Sequence, residues 1–343
     1  MGKHEMWELK QMQSLSLESK ILMTKQRIKA WYEHWEGQVY VSFSGGKDST
    51  VLKHLVDSIY DDVPALFVNT GLEYPEIQAF AREIKAGKYD CFNPNIVILR
   101  PEMRFNEVLE RYGYPVISKE VSQKIWDYRK KPDGYMKRRF AVNHRGIARY
   151  KSLADSELPI SHKCCDVMKK KPAKRYEKET GRKSFIGTLA AESALRKTAW
   201  LKKGCNAFES NRPTSQPLSF WTEQDILRYI KKYDVPYCTV YGDIVPTSDE
   251  EQFAGQMSTF ELLGNYEDTL LKTTGCQRTG CIFCMFGCHL EKEPNRFQQL
   301  KNTHPKQYEY CIGGGEMVDG KWQPSKEGLG LGKVLDYIGV KYE

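Results

Sequence analysis

Apolar positions along this chain change period several times, and each change predicts an element. From Leu15 to Trp35 the residues Leu15, Leu17, Ile21, Leu22, Ile28 and Trp31 recur at roughly helical spacing and predict a helix. Residues 38–43 read as a short strand, and after two glycines residues 50–59 read as a helix. The order repeats. A second strand is expected over 65–70, a second helix over 74–86 and a third strand over 95–99. Strands alternating with helices predict an α/β fold: a doubly wound, mostly parallel sheet with helices on both faces. Such sheets take ligands at the carboxyl ends of their strands.

Residues 118–156 break this rhythm. They are helical in propensity, aromatic and basic, and read as an insertion. Residues 183–187 return to the sheet, and 221–233 form a helix whose start is marked by Thr222 and Glu223. From Gly242 onward the pattern is less regular, ending in a glycine-rich stretch and a short helix over 334–338. The expected division is an N-terminal helix (1–37), a nucleotide-binding α/β domain (38–240) carrying the insertion, and a Cys-rich region (241–343).

Composition narrows the class. The chain has 343 residues, 40% of them hydrophobic, enough for a sizeable core. No run of about eighteen apolar residues is present, so no membrane span is expected, and the polar start Met1–Met6 does not resemble a signal peptide. A cytoplasmic protein is expected. The net charge is +8, and residues 119–151 alone hold eleven Lys or Arg against three acids. Arg129-Lys130-Lys131 and Lys137-Arg138-Arg139 are interleaved there with Tyr128, Tyr135, Phe140 and Tyr150. Two readings stay open: a solvated helical face, or a surface for a nucleic acid such as tRNA or DNA.

The loop after the first strand is the strongest local motif. Ser42 and Phe43 close the strand, and Ser44-Gly45-Gly46-Lys47-Asp48-Ser49 leads into the helix. Paired glycines let the backbone turn tightly and aim N–H groups at an anion, and a helix start adds its positive dipole end. Lys47 supplies charge for a phosphate, Ser44 and Ser49 supply hydroxyls, and Asp48 suits Mg2+ or a loop-orienting role. Asn69, Thr70 and Gly71 lie at the end of the second strand. The bland alternative is an ordinary turn between strand and helix.

Ten cysteines in a cytosolic chain argue for ligation rather than disulfides. Cys91, Cys205 and Cys238 are isolated and read as buried apolar residues. Cys164 and Cys165 are adjacent, and Cys276, Cys281, Cys284 and Cys288 lie within thirteen residues. Thiolates suit zinc or an iron–sulfur cluster. The compact group of four would make a zinc site. An adjacent pair is awkward for zinc, whose ligands are usually spaced further apart, while a cluster can take neighbouring thiolates on different irons.

The loop Ser44–Ser49 resembles the pyrophosphatase loop of the adenine nucleotide α-hydrolase-like superfamily. Asn69-Thr70-Gly71-Leu72-Glu73-Tyr74-Pro75-Glu76, Gly187 to Arg196 with Glu192-Ser193, and Pro217 to Ile230 together resemble the phosphoadenosine phosphosulfate reductase family. This resemblance implies a Rossmann-like fold, an adenine nucleotide (ATP with Mg2+, or a phosphosulfate) near Gly187 and Glu192, with Asn69, Thr70 and Gly71 near the nucleoside and Arg196 facing its anion. Its iron–sulfur branch implies a [4Fe–4S] cluster on Cys164, Cys165, Cys281 and Cys284, with Lys169 between cluster and substrate. Cys276 and Cys288 are left as neighbours or reactive thiols.

The sequence departs from the family's reductases in three ways. The late Glu-Cys-Gly-x-His segment that carries their attacking cysteine is missing; Cys311, followed by a loose glycine tail that could move it, is the only late cysteine and a weak candidate nucleophile. Two arginines expected shortly after Gly187 are Leu189 and Ala190. The phosphate loop is complete, where the reductases tend to have a degraded one. These departures favour ATP-dependent adenylation followed by sulfur transfer to a nucleic acid or small acceptor, served by a sulfur donor or reductant protein. A phosphosulfate reductase releasing sulfite and a non-catalytic nucleotide or redox sensor are the alternatives.

Overall fold

The computed structural model describes residues 4–130, 134–247 and 270–343. Lys131 and Asp133 of the basic segment lie outside the described residues, as does 248–269 of the Cys-rich region. Packing divides the chain into two units, residues 1–69, 74–99 and 173–279 in one and 70–73, 100–172 and 280–343 in the other.

The first unit is the α/β body. It begins with α1 (Met6–Gln13) and α2 (Leu17–His34). Then follow β1 (Val39–Phe43), α3 (Lys47–Asp57), β2 (Ala65–Val68), α4 (Pro75–Lys85) and β3 (Ile96–Leu99). Strand β5 (Lys183–Ile186) returns beside β1, and the six-stranded sheet runs β3-β2-β1-β5-β7-β6, with β6 at Asn206–Ala207 and β7 at Thr214–Ser215. Every pairing is parallel except β6 with β7. The chain runs outward from β1 through β2 to β3 and then comes back to the opposite side of β1. The order therefore reverses between β1 and β5, the place where open α/β sheets bind ligands.

Side-chain period two explains why the sheet is covered on both faces. Val39, Val41 and Phe43, Ala65 and Phe67, and Ile96 with Ile98 all belong to one large core. The intervening Tyr40, Leu66, Val68, Val97 and Leu99 join a second cluster with Ala173 and Tyr176. Helix α2 is part of the larger core through Ile28 and Trp31. It is tied to α11 (Glu223–Lys232) by the buried pair Lys20–Asp225, 2.8 Å. The indole of Trp221 donates to Thr24 Oγ1 at 2.9 Å.

The second unit holds α5 (Phe105–Tyr112), β4 (Val116–Ile117), α6 (Lys119–Lys130), α7 (Tyr135–Ala141) and α8 (Lys151–Asp155). Its later part holds β10 (Met285–Phe286), parallel to β4, then α12 (Arg296–Thr303), α13 (Pro305–Ile312), a hairpin of β11 (Glu316–Val318) with β12 (Lys321–Gln323), and α14 (Leu331–Tyr337). Helix α9 (Lys171–Thr180) starts here and continues into the first unit. The remaining helix α10 (Ala194–Lys203) and the pair β8 (Ile244–Pro246) with β9 (Leu271–Thr273) belong to the first unit.

The basic insertion is indeed helical, but its charges do not all face water. Arg129 turns inward: its guanidinium donates to the carbonyls of Leu153, Ala154, Ser156 and Leu158, which closes α6 onto α8. Phe140 is buried and Tyr128 donates to Asp155. Tyr135, Lys137 and Arg138 are exposed. Among the described residues no helix is long and apolar enough to cross a membrane.

Candidate functional site

The loop after β1 is held by its own side chains. The backbone N–H of Ser44 donates to Ser49 Oγ, and the hydroxyls of Ser44 and Ser49 share a hydrogen bond of 3.0 Å. Gly46 caps α3, its carbonyl accepting from Ser49, Thr50 Oγ1 and Thr50 N–H. Gly45 has φ +73°, a value glycine adopts without strain, and a Cβ there would sit 2.8 Å from Ile77 Cγ2. Helix α3 starts at Lys47, three residues earlier than expected, so Lys47, Asp48 and Ser49 form its first turn. Gly187, following β5, packs against this turn: a Cβ there would lie 3.0 Å from the Asp48 carbonyl. The loops after β1 and β5 thus meet where the strand order reverses.

Lys47 is buried and fully engaged. Its ammonium donates to the Gln277 carbonyl and pairs with Glu223 at 2.8 Å, while its N–H donates to Tyr241 Oη. Tyr241 and Thr279 share a hydrogen bond of 2.7 Å, and Thr279 Oγ1 also stands 3.1 Å from where a Gly46 Cβ would be. Oxygen atoms of the protein therefore gather around the lysine and the loop N–H that a phosphate would use. Asp48 Oδ1 is buried and has no hydrogen-bond partner among the described residues. Burial raises its pKa above the ordinary aspartate value, opposed by the charges of Lys47, Arg278 and Arg196. A buried carboxylate oxygen with no donor suits a cation.

Leu189 and Ala190 are buried in the core. They could not present charge even as arginines without rebuilding it. Glu192 instead accepts from two arginines, Arg196 and Arg278. Sequence reading missed Arg278; it lies 86 residues from Glu192 in the chain and carries no local mark. Asn69 continues β2, its N–H donating to Leu99 O.

The thiols belong to the second unit. Cys164 and Cys165 open a helical stretch whose next turn, Asp166–Lys170, is a wide π turn. Cys281 and Cys284 form a tight turn, Cys284 N–H donating to Cys281 O, pinned by Ile282 N–H on Leu72 O. Burial pushes the Cys281 thiol up to about 11, with Lys169 pulling the other way and Cys284 and Cys165 adding to the rise. Burial also raises Cys164, and the charges of Cys165, Cys281 and Cys284 raise it further. Cys164 thus stands within electrostatic reach of the other three thiols. Lys169 is half-buried among them. Burial opposes its charge, but Cys281, Glu73 and Cys165 outweigh that and its pKa lies above the usual lysine value. Thr70 and Glu73 form a closed turn, with Thr70 donating to Glu73 through both N–H and hydroxyl, and Gly71 between them at φ +75°.

The other cysteines fall outside this set. Cys276 belongs to the first unit, its thiol against Arg278 O at 3.2 Å. Cys288 is buried and donates to Met285 O. Cys205 and Cys238 are buried, but Cys91 is exposed, contrary to expectation. Cys311 is 0% exposed inside α13, and burial raises its thiol well above the ordinary value, so it is no mobile nucleophile. Among the described residues no three His, Cys, Asp or Glu side chains already converge as a single metal ion would need.

Comparison with known proteins gives a consistent picture. A profile of the phosphoadenosine phosphosulfate reductase domain matches residues 38–285. The chain is 31% identical over 218 residues to an uncharacterized protein of Methanocaldococcus jannaschii, covering 62% of this chain and 41% of that one. It is 20% identical over 213 residues to the phosphoadenosine 5'-phosphosulfate reductase of Alkalilimnicola ehrlichii, covering 62% of this chain and 69% of that one. The chain spans about two fifths of the length of the M. jannaschii relative. Among solved structures, the U34-tRNA thiolase NcsA of Methanococcus maripaludis with its [4Fe-4S] cluster aligns at 18% identity and a TM-score of 0.31, covering 64% of this chain and 66% of that one. A likeness that distant carries no argument for this chain.

Proposed function

This chain belongs to the phosphoadenosine phosphosulfate reductase domain family, and we propose that it is an enzyme that binds ATP with Mg2+ at Ser44–Ser49 and carries out adenylation followed by sulfur transfer. The observation that carries this reading is the complete loop: Lys47 at the first turn of α3, with the unpartnered Asp48 Oδ1 beside it. A phosphosulfate nucleotide has no pyrophosphate for such a pair to hold.

In this reading the triphosphate displaces the Gln277 carbonyl and Glu223 from Lys47, and Asp48 holds Mg2+. An acceptor oxygen attacks the α-phosphorus, the bond to the bridging oxygen breaks, and Lys47 with the α3 dipole stabilises the charge on departing pyrophosphate. A sulfur nucleophile then displaces AMP from the acceptor. Gly187 keeps the loop after β5 close to this turn.

The donor set Cys164, Cys165, Cys281 and Cys284 fits a [4Fe–4S] cluster: one buried and three half-buried thiols with an adjacent ammonium, Lys169, to offset their negative charge when ionised. When bound, such a cluster supplies one-electron redox capacity. Lys169 would offset part of its negative charge, and Glu73 favours the charged form of Lys169.

A second reading, a phosphosulfate reductase, is favoured by relatives such as the phosphoadenosine 5'-phosphosulfate reductase of A. ehrlichii. The buried Cys311, Leu189 and Ala190 weigh against it. Anaerobically purified protein incubated with ATP or with phosphosulfates separates the readings. Pyrophosphate release supports adenylation, sulfite release supports reduction, and nucleotide binding without turnover supports a sensor.

A further inference from the structure

Resting on the reading of Ser44–Ser49 as a nucleotide site, we propose that Arg278 is a specificity-determining residue there: with Arg196 it recognises the phosphates beyond the α-position, and Glu192 parks both guanidiniums while the site lacks ligand. The two positions after Gly187 where charge was expected, Leu189 and Ala190, face the core and contribute none. Charge is restored from a distant segment. Arg278 and Arg196 each donate to one oxygen of the same Glu192 carboxylate, Arg278 to Oε1 and Arg196 to Oε2. Two cations on one anion leave a local excess of one positive charge, and each arginine feels the other: burial first, and then Arg278, lower the pKa of Arg196. Both also act on Asp48 in the first turn of α3, so they stand within electrostatic reach of the loop.

Like charges held together beside an anion cradle are stabilised when a polyanion arrives. The carboxylates now in place behave as its stand-ins. Glu192 holds the two guanidiniums, and Glu223 holds Lys47 at 2.8 Å. A phosphate offers more acceptor oxygens than a carboxylate and matches the guanidinium fork in two places. A chain of phosphates can therefore exchange for both carboxylates at once, and AMP, with one phosphate, cannot. Arg278 is positioned for this exchange by its own segment: Gln277 O caps Lys47, and Thr279 bonds Tyr241. Its guanidinium is well exposed, so substituting it should leave the fold intact.

The test is calorimetric titration of the full chain with MgATP and with AMP. Arg278→Ala should weaken ATP by about ten- to a hundredfold, the range for a lost charge-assisted contact, and should leave AMP affinity nearly unchanged. Glu192→Gln keeps the acceptor that the Leu189 N–H uses and removes the parking charge; it should tighten ATP binding. If Arg278→Ala lowers ATP and AMP equally, or neither, with Glu192→Gln silent, the specificity role is overturned and the nucleotide reading stands. If the unaltered protein binds no nucleotide, both fall together.

Discussion

The nucleotide loop and the thiol quartet are built in opposite ways. The loop is one continuous segment between β1 and α3, and its shape is closed by its own hydroxyls and by Gly46 as a helix cap. The quartet joins two segments more than a hundred residues apart, held by short turns rather than by long strands or helices. The loop keeps its form with protein oxygens gathered around the Lys47 ammonium and N–H. Burial and neighbouring thiols raise the pKa values of Cys164 and Cys281, so ionising them costs free energy that a bound metal would return in the proposed reading. In the proposed reading one site is preformed by backbone, and the other would be completed by its ligand.

The largest expected effect follows from the second half of that contrast. Cys164→Ser, Cys165→Ser, Cys281→Ser or Cys284→Ser should each abolish the brown colour and most iron and acid-labile sulfide of anaerobically purified protein. Cys276→Ser and Cys288→Ser should leave about four iron and four sulfide per chain. Colourless native protein with one zinc would erase the proposed difference between the sites.

Next comes the ligand side of the preformed site. Lys47→Ala should weaken ATP about ten- to a hundredfold through loss of a charge-assisted contact. Its iron content should not change. Equal ATP affinity in calorimetry would remove the phosphate role of the loop. A smaller effect tests preformation itself. Gly45→Ala forces a side chain into positive φ and against Ile77, and should lower stability by about 1–3 kcal/mol. A melting temperature equal to that of the native chain would show that the loop is not held as tightly as its hydrogen bonds indicate.

The same contrast explains what the sequence revealed. Short apolar runs at 39–43, 65–68 and 96–99, each followed by a polar or glycine-bearing loop, are a local signal, and they predict the strands to within a residue or two. The start of α3 was read three residues late, because Lys47-Asp48-Ser49 is polar and has no apolar period, though its chemistry suits a helix start. Long-range facts left no local trace. Arg129 looks like any member of a basic run until its four carbonyl partners are seen. Arg278 reaches Glu192 only through the fold. The glycines near Cys311 read as a loose tail, yet they permit close packing: a Cβ on Gly314 would lie 2.3 Å from the Gly328 nitrogen. Glycine content reports conformational freedom or tight approach, and sequence alone does not separate the two.

The smallest expected effect concerns the insertion. Arg129 and Phe140 are committed to holding α6, α7 and α8 together, which leaves the exposed side of α7 as the part able to meet a polyanion. Lys137 and Arg138 are exposed there, Arg139 is half-buried over the Tyr135 ring, and Tyr135 itself is 62% exposed. Cations beside an open aromatic ring suit phosphate contact with base stacking. Replacing Lys137, Arg138 and Arg139 by Ala should reduce the slope of log affinity against log salt for tRNA or DNA by about 2–3, since each lost phosphate contact removes about 0.7–0.9. Stability should move by no more than about 0.5 kcal/mol per surface substitution, and ATP affinity should stay the same. Arg129→Ala should do the reverse, destabilising the unit with little change in salt slope. If the native protein shows no salt-sensitive retention of either nucleic acid, the acceptor is small and the charge on α7 serves only solvation.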